Sequence, residues 1–212
     1  ARHLAGYFAA GLLMPYGRFL RACEATDYDL PVLERRFSVS FEQLAHRLTT
    51  LQRVGERGLP FFMVRIDRAG QFSKTFTGAS TARFVETDVA CPLWAALRAF
   101  ERGGEMVTQF VTLEEEGERQ GGWLTMARMV EGSGAPGGAQ FVVVLGIEGV
   151  LASDLAQARG LAFDNTDARR IGRGCARCYR PDCPQRSVPP RGRRLEFDPV
   201  RRGAAPFSFA AS

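Results

Sequence analysis

Residues 171–190 read IGRGCARCYRPDCPQRSVPP, and they make chemical sense around an ion or cluster. Cys175, Cys178 and Cys183 form a C-x2-C-x4-C array among arginines, glycines and prolines, with hardly an apolar side chain to build a local core. The spacing lets Cys175 and Cys178 converge on one point from a single tight loop. Three thiolates leave a tetrahedral sulfur site one ligand short. Cys91, within Ala90-Cys91-Pro92-Leu93-Trp94, is the candidate fourth. If Cys91 closes the site, the tail is pinned to the middle of the chain, and the rest of the fold must bring these segments together.

Four thiolates suit a structural zinc or an iron–sulfur cluster. Cys91 and Cys183 are each followed by proline, as in bacterial ferredoxin ligand runs, and the ligands divide three to one rather than into two close pairs. Both details favour [4Fe–4S], with zinc as the alternative. The fifth cysteine, Cys23, lies in a helical pattern and is expected to pack as a small hydrophobe.

With 212 residues and 45% hydrophobic composition the chain has ample material for a core. No apolar run reaches a membrane-spanning length, and the cysteine spacing is not that of a secreted disulfide framework, so a cytoplasmic protein is expected. The net charge of +5 is carried almost wholly by arginine, Lys74 being the only lysine. Such a balance is compatible with phosphorylated ligands or nucleic acid and demands neither. No nucleophile–base pair stands at a recognisable spacing, and an all-cysteine ligand set leaves no open coordination position, so the chain is not expected to be an enzyme.

Read in order, residues 2–53 give a helical array in which Leu4, Phe8, Leu12 and Phe19 recur near helical spacing and Pro15 separates two helices. Ser40-Phe41-Glu42-Gln43 has the form of a capping box opening a helix through Leu44, Leu48 and Leu51. After a Gly-rich connector, strands are expected at 61–67, 71–77, 106–113, 123–129 and 141–147. The run Phe141-Val142-Val143-Val144-Leu145 is apolar at successive positions, the mark of a strand covered on both faces. Helices are expected over 92–100 and 150–159, and Glu114-Glu115-Glu116 reads as a solvated hairpin tip. These elements describe an α+β fold, a helical array followed by a mainly antiparallel sheet with flanking helices and a cysteine-ligated loop. In the tail, Leu195, Phe197, Phe207 and Phe209 are expected to pack on something.

AGYFAAGLLMPYGRF with LERRFSVSFEQLAHRLTTLQR resembles the latter part of an ImmA/IrrE-type domain. The H-E-x-x-H zinc helix of that family has no counterpart, the only histidines being His3 and His46, so peptidase activity does not carry over. Together with GLPFFMVRIDRAGQFSK, ACPLW and IGRGCARCYRPDCPQR, these stretches resemble the short-chain fatty acyl transcriptional regulators, above all those of propionate catabolism. The resemblance implies residues 1–55 as the remnant of an ImmA/IrrE-like domain, 56–165 as a GAF-like sensor, and 166–212 as a cluster-binding loop and tail. It further implies binding of coenzyme A or a short-chain acyl-CoA, self-association as a dimer or larger oligomer, and DNA contact through a helix-turn-helix not among these residues. The stretch 78–90, GASTARFVETDVA, departs from the family pattern and is where ligand preference would differ.

Coenzyme A needs cationic forks for its phosphates and an apolar slot for its acyl end. Alternation along the first hairpin puts Phe61, Met63 and Arg65 on one face and Phe62, Val64 and Ile66 on the other, the second being the better core candidate. Arg65 would then flank an apolar patch open to a thioester. Arg65 and Lys74 are the expected phosphate ligands, with Arg68 and Arg83 in reserve.

Overall fold

The computed structural model describes residues 2–115, 118–132, 138–161, 168–196, 200 and 208–210. Four helices open the chain: α1 (Arg2–Leu13), α2 (Tyr16–Ala25), α3 (Leu30–Phe37) and α4 (Phe41–Thr49). Each boundary has a local cause. Pro15 precedes α2, Asp29 accepts from the Val32 N–H at 3.0 Å to cap α3, and Ser38 ends α3 in the left-handed region at φ 51°. The expected capping box opens α4: the Gln43 N–H donates to Ser40 Oγ at 3.3 Å and the Ser40 N–H to Gln43 Oε1 at 2.9 Å. Among the described residues no helix is long and apolar enough to cross a membrane.

A two-residue hairpin, β1 (Gln52–Arg53) with β2 (Glu56–Arg57), occupies the Gly-rich connector. The main sheet follows, built from β3 (Phe62–Ile66), β4 (Phe72–Phe76), β5 (Val107–Glu115), β6 (Glu118–Glu131), β7 (Gln140–Glu148) and β8 (Arg169–Ile171) in the order β4-β3-β7-β6-β5-β8. Five of these strands were legible as periodic runs and pair antiparallel. β8 lies parallel to β5 and makes the sheet mixed. Three residues are too few to show a period, which is why this strand does not stand out in the sequence. A last hairpin joins β9 (Leu195–Glu196) to β10 (Ser208–Phe209).

Both faces of the sheet are buried. Phe61, Met63, Val143, Leu145 and Ile147 join the helices through Phe19, Leu33, Leu44 and Leu48 in one core. Phe62, Val64, Ile66, Val142 and Val144 join Phe84, Trp94, Val111 and Trp123 in a second. Alternation along β3 and β7 is therefore as expected, but no open apolar face remains beside Arg65. The helices cover it. The two strands approach closely where Phe62 pairs with Gly146: a Cβ on that glycine would lie 2.1 Å from Phe62 Cζ, so only glycine fits under the ring.

Three local expectations fail for identifiable reasons. Residues 95–101 form a 3-10 turn (Ala95–Glu101) rather than an α-helix over 92–100. The Trp94 N–H takes the Cys91 carbonyl at 2.9 Å and the Ala95 N–H goes to Gln109 Oε1 at 2.8 Å, so the four-residue ladder never starts. Over 150–159 there are two short 3-10 turns, Gly149–Leu151 and Ala156–Ala158, because the Ala156 N–H is claimed by the Asp27 carbonyl at 2.8 Å. Glu114 is not a solvated tip residue. It lies in β5 with Arg170 at 3.5 Å and Arg180 at 3.6 Å, its side chain only 12% exposed.

The proposed apolar stripe on α1 is mostly outward: Phe8 and Leu12 are exposed, whereas Ala10, Met14 and Phe19 are buried. The Leu4 and His3 side chains, and Phe197 and Phe207 in the tail, lie outside the described residues. Leu195 is exposed, and Phe209 receives the guanidinium of Arg186 at 4.9 Å.

Candidate functional site

The parallel pairing of β8 on β5 delivers the chain to Gly172 and the cysteine loop beside the segment that carries Cys91. Gly174, at φ 82°, passes so near this segment that a Cβ would meet Val89 Cγ1 at 2.6 Å. Gly172 is equally confined: its Cβ would fall 2.7 Å from Cys178 Sγ. Cys91 and Cys183 are buried, and none of the five cysteines is in a disulfide.

Burial pushes the Cys91 thiol above its ordinary pKa, and the neighbouring Cys178 and Cys183 sulfurs push the same way. The N–H groups of Gly172 and Leu93 act oppositely, as donors that favour a thiolate. Cys91, Cys178 and Cys183 thus share one environment. Cys175 opens a 3-10 turn (Cys175–Arg177), and its Sγ stands 3.5 Å from Ser187 Oγ on the wall of a cleft. Among the described residues no three His, Cys, Asp or Glu side chains already stand as a metal-holding group. Two features nonetheless fit a bound centre here: the space kept clear at Gly172, which a side chain would fill against Cys178, and Arg186, whose buried Nε finds no acceptor among the described residues. Cys23, by contrast, is sealed in the helical core with its thiol pushed up to about 12, chiefly by burial.

Arg186 is 4% exposed and holds the loop through its carbonyls. Its Nη1 donates to Cys175 O at 3.1 Å and Val188 O at 3.4 Å, its Nη2 to Cys178 O at 3.0 Å and Arg180 O at 2.5 Å. No sequence pattern singled it out, since it is one arginine among many in the loop.

The cleft beside Cys175 encloses about 530 Å³ between the turn after β3, the 3-10 turn at 95–101 and the cysteine loop. Leu97, Phe100 and Val188 give it apolar walls, and Arg68, Gln71, Glu101, Cys175 and Ser187 polar ones. It adjoins a second hollow of about 290 Å³, with which it shares Gln71, Val89 and Ala176, and which is lined by Arg173, Arg177 and Arg191 around Asp88. Arg173 pairs with Glu86 and Arg177 with Asp88, both at 3.8 Å.

The four arginine and lysine candidates separate. Arg68 borders the cleft, donating from Nε to Gln140 Oε1 at 3.1 Å with its guanidinium 5.2 Å from the Phe100 ring. Arg65 and Lys74 are cross-strand partners on the helical side of the sheet, and both meet Glu42 Oε1 of α4, at 3.3 and 3.2 Å. Arg65 also lies 4.4 Å over Phe141. Arg83 is exposed at the start of a 3-10 turn (Arg83–Glu86). Nearby on the helical face, Arg128 Nη1 reaches both oxygens of Glu34, at 2.9 and 2.7 Å. Glu34, Glu42 and the cleft itself carried no signal in the sequence, because each depends on pairings far apart in the chain.

Comparison with known proteins sets these features in a family. Residues 50–207 match the short-chain fatty acyl coenzyme A regulator C-terminal family, and residues 2–49 match the IrrE N-terminal-like domain. The chain is 42% identical over 212 residues to the propionyl-CoA carboxylase regulator of Cereibacter sphaeroides, covering 97% of this chain and 44% of that protein. It is 39% identical over 211 residues to the HTH-type transcriptional regulator RamB of Mycobacterium tuberculosis (96% and 43% covered) and 37% identical over 207 residues to PrpR of the same species (97% and 42%). It therefore spans less than half the length of these relatives. A solved Mycobacterium tuberculosis transcriptional regulator superposes with a TM-score of 0.84 at 36% identity, over 95% of this chain and 61% of that one. The chain belongs to the short-chain fatty acyl coenzyme A regulator family.

Proposed function

We propose that the chain is the effector-sensing part of a transcriptional regulator of short-chain acyl metabolism, and that it binds coenzyme A or a short-chain acyl-CoA in the cleft beside Cys175. The observation that carries this is the composition of the cleft: an apolar slot at Leu97, Phe100 and Val188 running into a hollow edged by three arginines. A thioester arm suits the first and phosphates the second. Arg68 is the expected candidate that borders it. Arg65 and Lys74 line neither hollow and are joined to Glu42 at 3.3 and 3.2 Å, so they serve better as the tie between α4 and the sheet; Arg173 and Arg177 meet their carboxylates only at 3.8 Å. Arg83 stays in reserve.

In the same reading Cys91, Cys175, Cys178 and Cys183 hold a [4Fe–4S] cluster, zinc being the alternative occupant. Such a centre supplies a rigid cross-link and, if iron, a one-electron couple. Effector binding to one of two arrangements biases a dimer, for which exposed Phe8 and Leu12 offer apolar surface, and so positions DNA-binding modules outside these residues. The GAF-like description of the sheet belongs with this reading.

Calorimetry with coenzyme A and its acetyl and propionyl thioesters tests it. Arg68→Ala and Arg177→Ala should each weaken binding by about 1–3 kcal/mol if they make charge-assisted contacts. Unchanged affinity in both folded variants, with a loss in Arg65→Ala/Lys74→Ala, would move the site to the helical face. A second reading, in which the cysteine centre itself senses an oxidant or nitric oxide, is favoured by the place of Cys175 on the cleft wall. It predicts that promoter binding by the full-length protein follows the state of the centre and ignores acyl-CoA.

A further inference from the structure

Arg186 is a buried cation whose charge nothing in the described protein balances. Its side chain meets four backbone carbonyls and the face of Phe209, and among the described residues no carboxylate stands within ion-pair distance of it. A guanidinium cannot shed its proton at any physiological pH, so burial cannot be relieved by neutralisation, as it is for lysine or histidine. Carbonyl dipoles compensate part of the lost hydration, but among the described residues the buried Nε finds no acceptor. Such a group is costly unless an anion comes close. Two of the four carbonyls it grips belong to Cys175 and Cys178, so the charge sits within one residue's span of two sulfurs.

Four thiolates around Zn²⁺ or an oxidised [4Fe–4S] core leave a net double negative charge. We propose that Arg186 is the built-in counter-charge of the cysteine centre: it offsets that negative charge, so it sets how readily the centre accepts an electron or releases its metal, besides clamping the loop. The proposal rests on the cysteine loop being a metal site. It assigns the group within that site that tunes the occupant, and explains why a cation is buried in a loop with little core of its own.

The test uses the chain loaded anaerobically, with Arg186→Gln, Arg186→Lys and, as a control for total charge, Arg36→Gln at an exposed position of α3, outside the cleft and the cysteine loop. Both Arg186 variants lose the four-carbonyl clamp, so limited proteolysis within the loop should quicken in both. The electrostatic role separates them. With iron bound, Arg186→Gln should move the reduction potential to more negative values by a tenfold bias or more, about 59 mV for a one-electron couple. Arg186→Lys and Arg36→Gln should stay near the wild type. With zinc bound, chelator should strip Arg186→Gln at least tenfold faster than Arg186→Lys. Equal potentials, or equal release, in the two Arg186 variants would overturn the proposal and leave the arginine a clamp only. If Arg186→Gln takes up no metal, Arg186→Lys decides: loading with a wild-type potential supports the counter-charge, and failure to load overturns it. A wild-type chain that holds neither iron nor zinc removes the metal-site reading itself, and the proposal with it.

Discussion

Glu34→Ala should cost the fold well beyond what removal of an exposed charge costs. Arg128 on β6 points into the helix-facing side of the sheet, where Nη1 bonds both Glu34 oxygens and the guanidinium lies 4.7 Å from the Phe41 ring. Side-chain exposure is 19% for Arg128 and 16% for Glu34, far from solvent screening. Stripping one partner from a fully buried pair costs about 3–5 kcal/mol, and an exposed pair is worth about 0–1 kcal/mol. This pair lies toward the buried limit, so about 3 kcal/mol is expected for Glu34→Ala. With a urea dependence near the upper end for small proteins, about 3 kcal/mol per molar, the midpoint should fall by about 1 M at unchanged slope. Replacing both partners by apolar groups, Glu34→Leu with Arg128→Met, removes the stranded charge and should recover to within about 1 kcal/mol of the wild type. Urea unfolding followed by far-ultraviolet circular dichroism and by the fluorescence of Trp94 and Trp123 measures all three. A Glu34→Ala midpoint within about 0.3 M of wild type, or a double variant no better than the single one, would refute the reasoning.

Gly172→Ala should cut metal retention sharply, because its methyl would fall 2.7 Å from Cys178 Sγ. Metal analysis after anaerobic loading, beside Gly103→Ala where a Cβ meets nothing within 4 Å, gives the comparison. Gly146→Ala should destabilise by about 1–3 kcal/mol through overpacking against Phe62, read as a lower urea midpoint. Stability should also decline in alkali. The folded protein raises Cys23 from an ordinary 9.0 and Tyr28 from 10.0, each to about 12, so the unfolded chain loses these protons first. Their contribution is complete below pH 9 and is lost as pH climbs toward 12. Cys23→Ala should flatten the early part of that decline in a pH series of urea melts.

Much of this fold can be read from local signals. The Ser40 box, the proline before α2 and the doubly covered β7 each announce themselves within a few residues, and so does the cysteine array. What cannot be read locally depends on competition for hydrogen bonds between distant segments. Ala156 gives its N–H to Asp27 and Ala95 gives its own to Gln109, and two expected helices become 3-10 turns. Arg65 and Lys74 look like free cations on a hairpin until Glu42 arrives from another element. The cleft has no linear signature, because its walls come from residues 68 to 101 and 175 to 188.

β3 has one further consequence. Its odd-numbered neighbours Phe61 and Met63 belong to the core shared with the helices, and Phe62, Val64 and Ile66 to the core beneath the cleft. A partition this thin has no independent sides: displacing Ile66 toward one displaces Arg65 from the other, since the two share a peptide bond. Close-packed interiors do not absorb such a shift by yielding a little everywhere. Under the reading proposed above, a ligand seated on the cysteine side would be felt by Glu42 and α4 through this single strand.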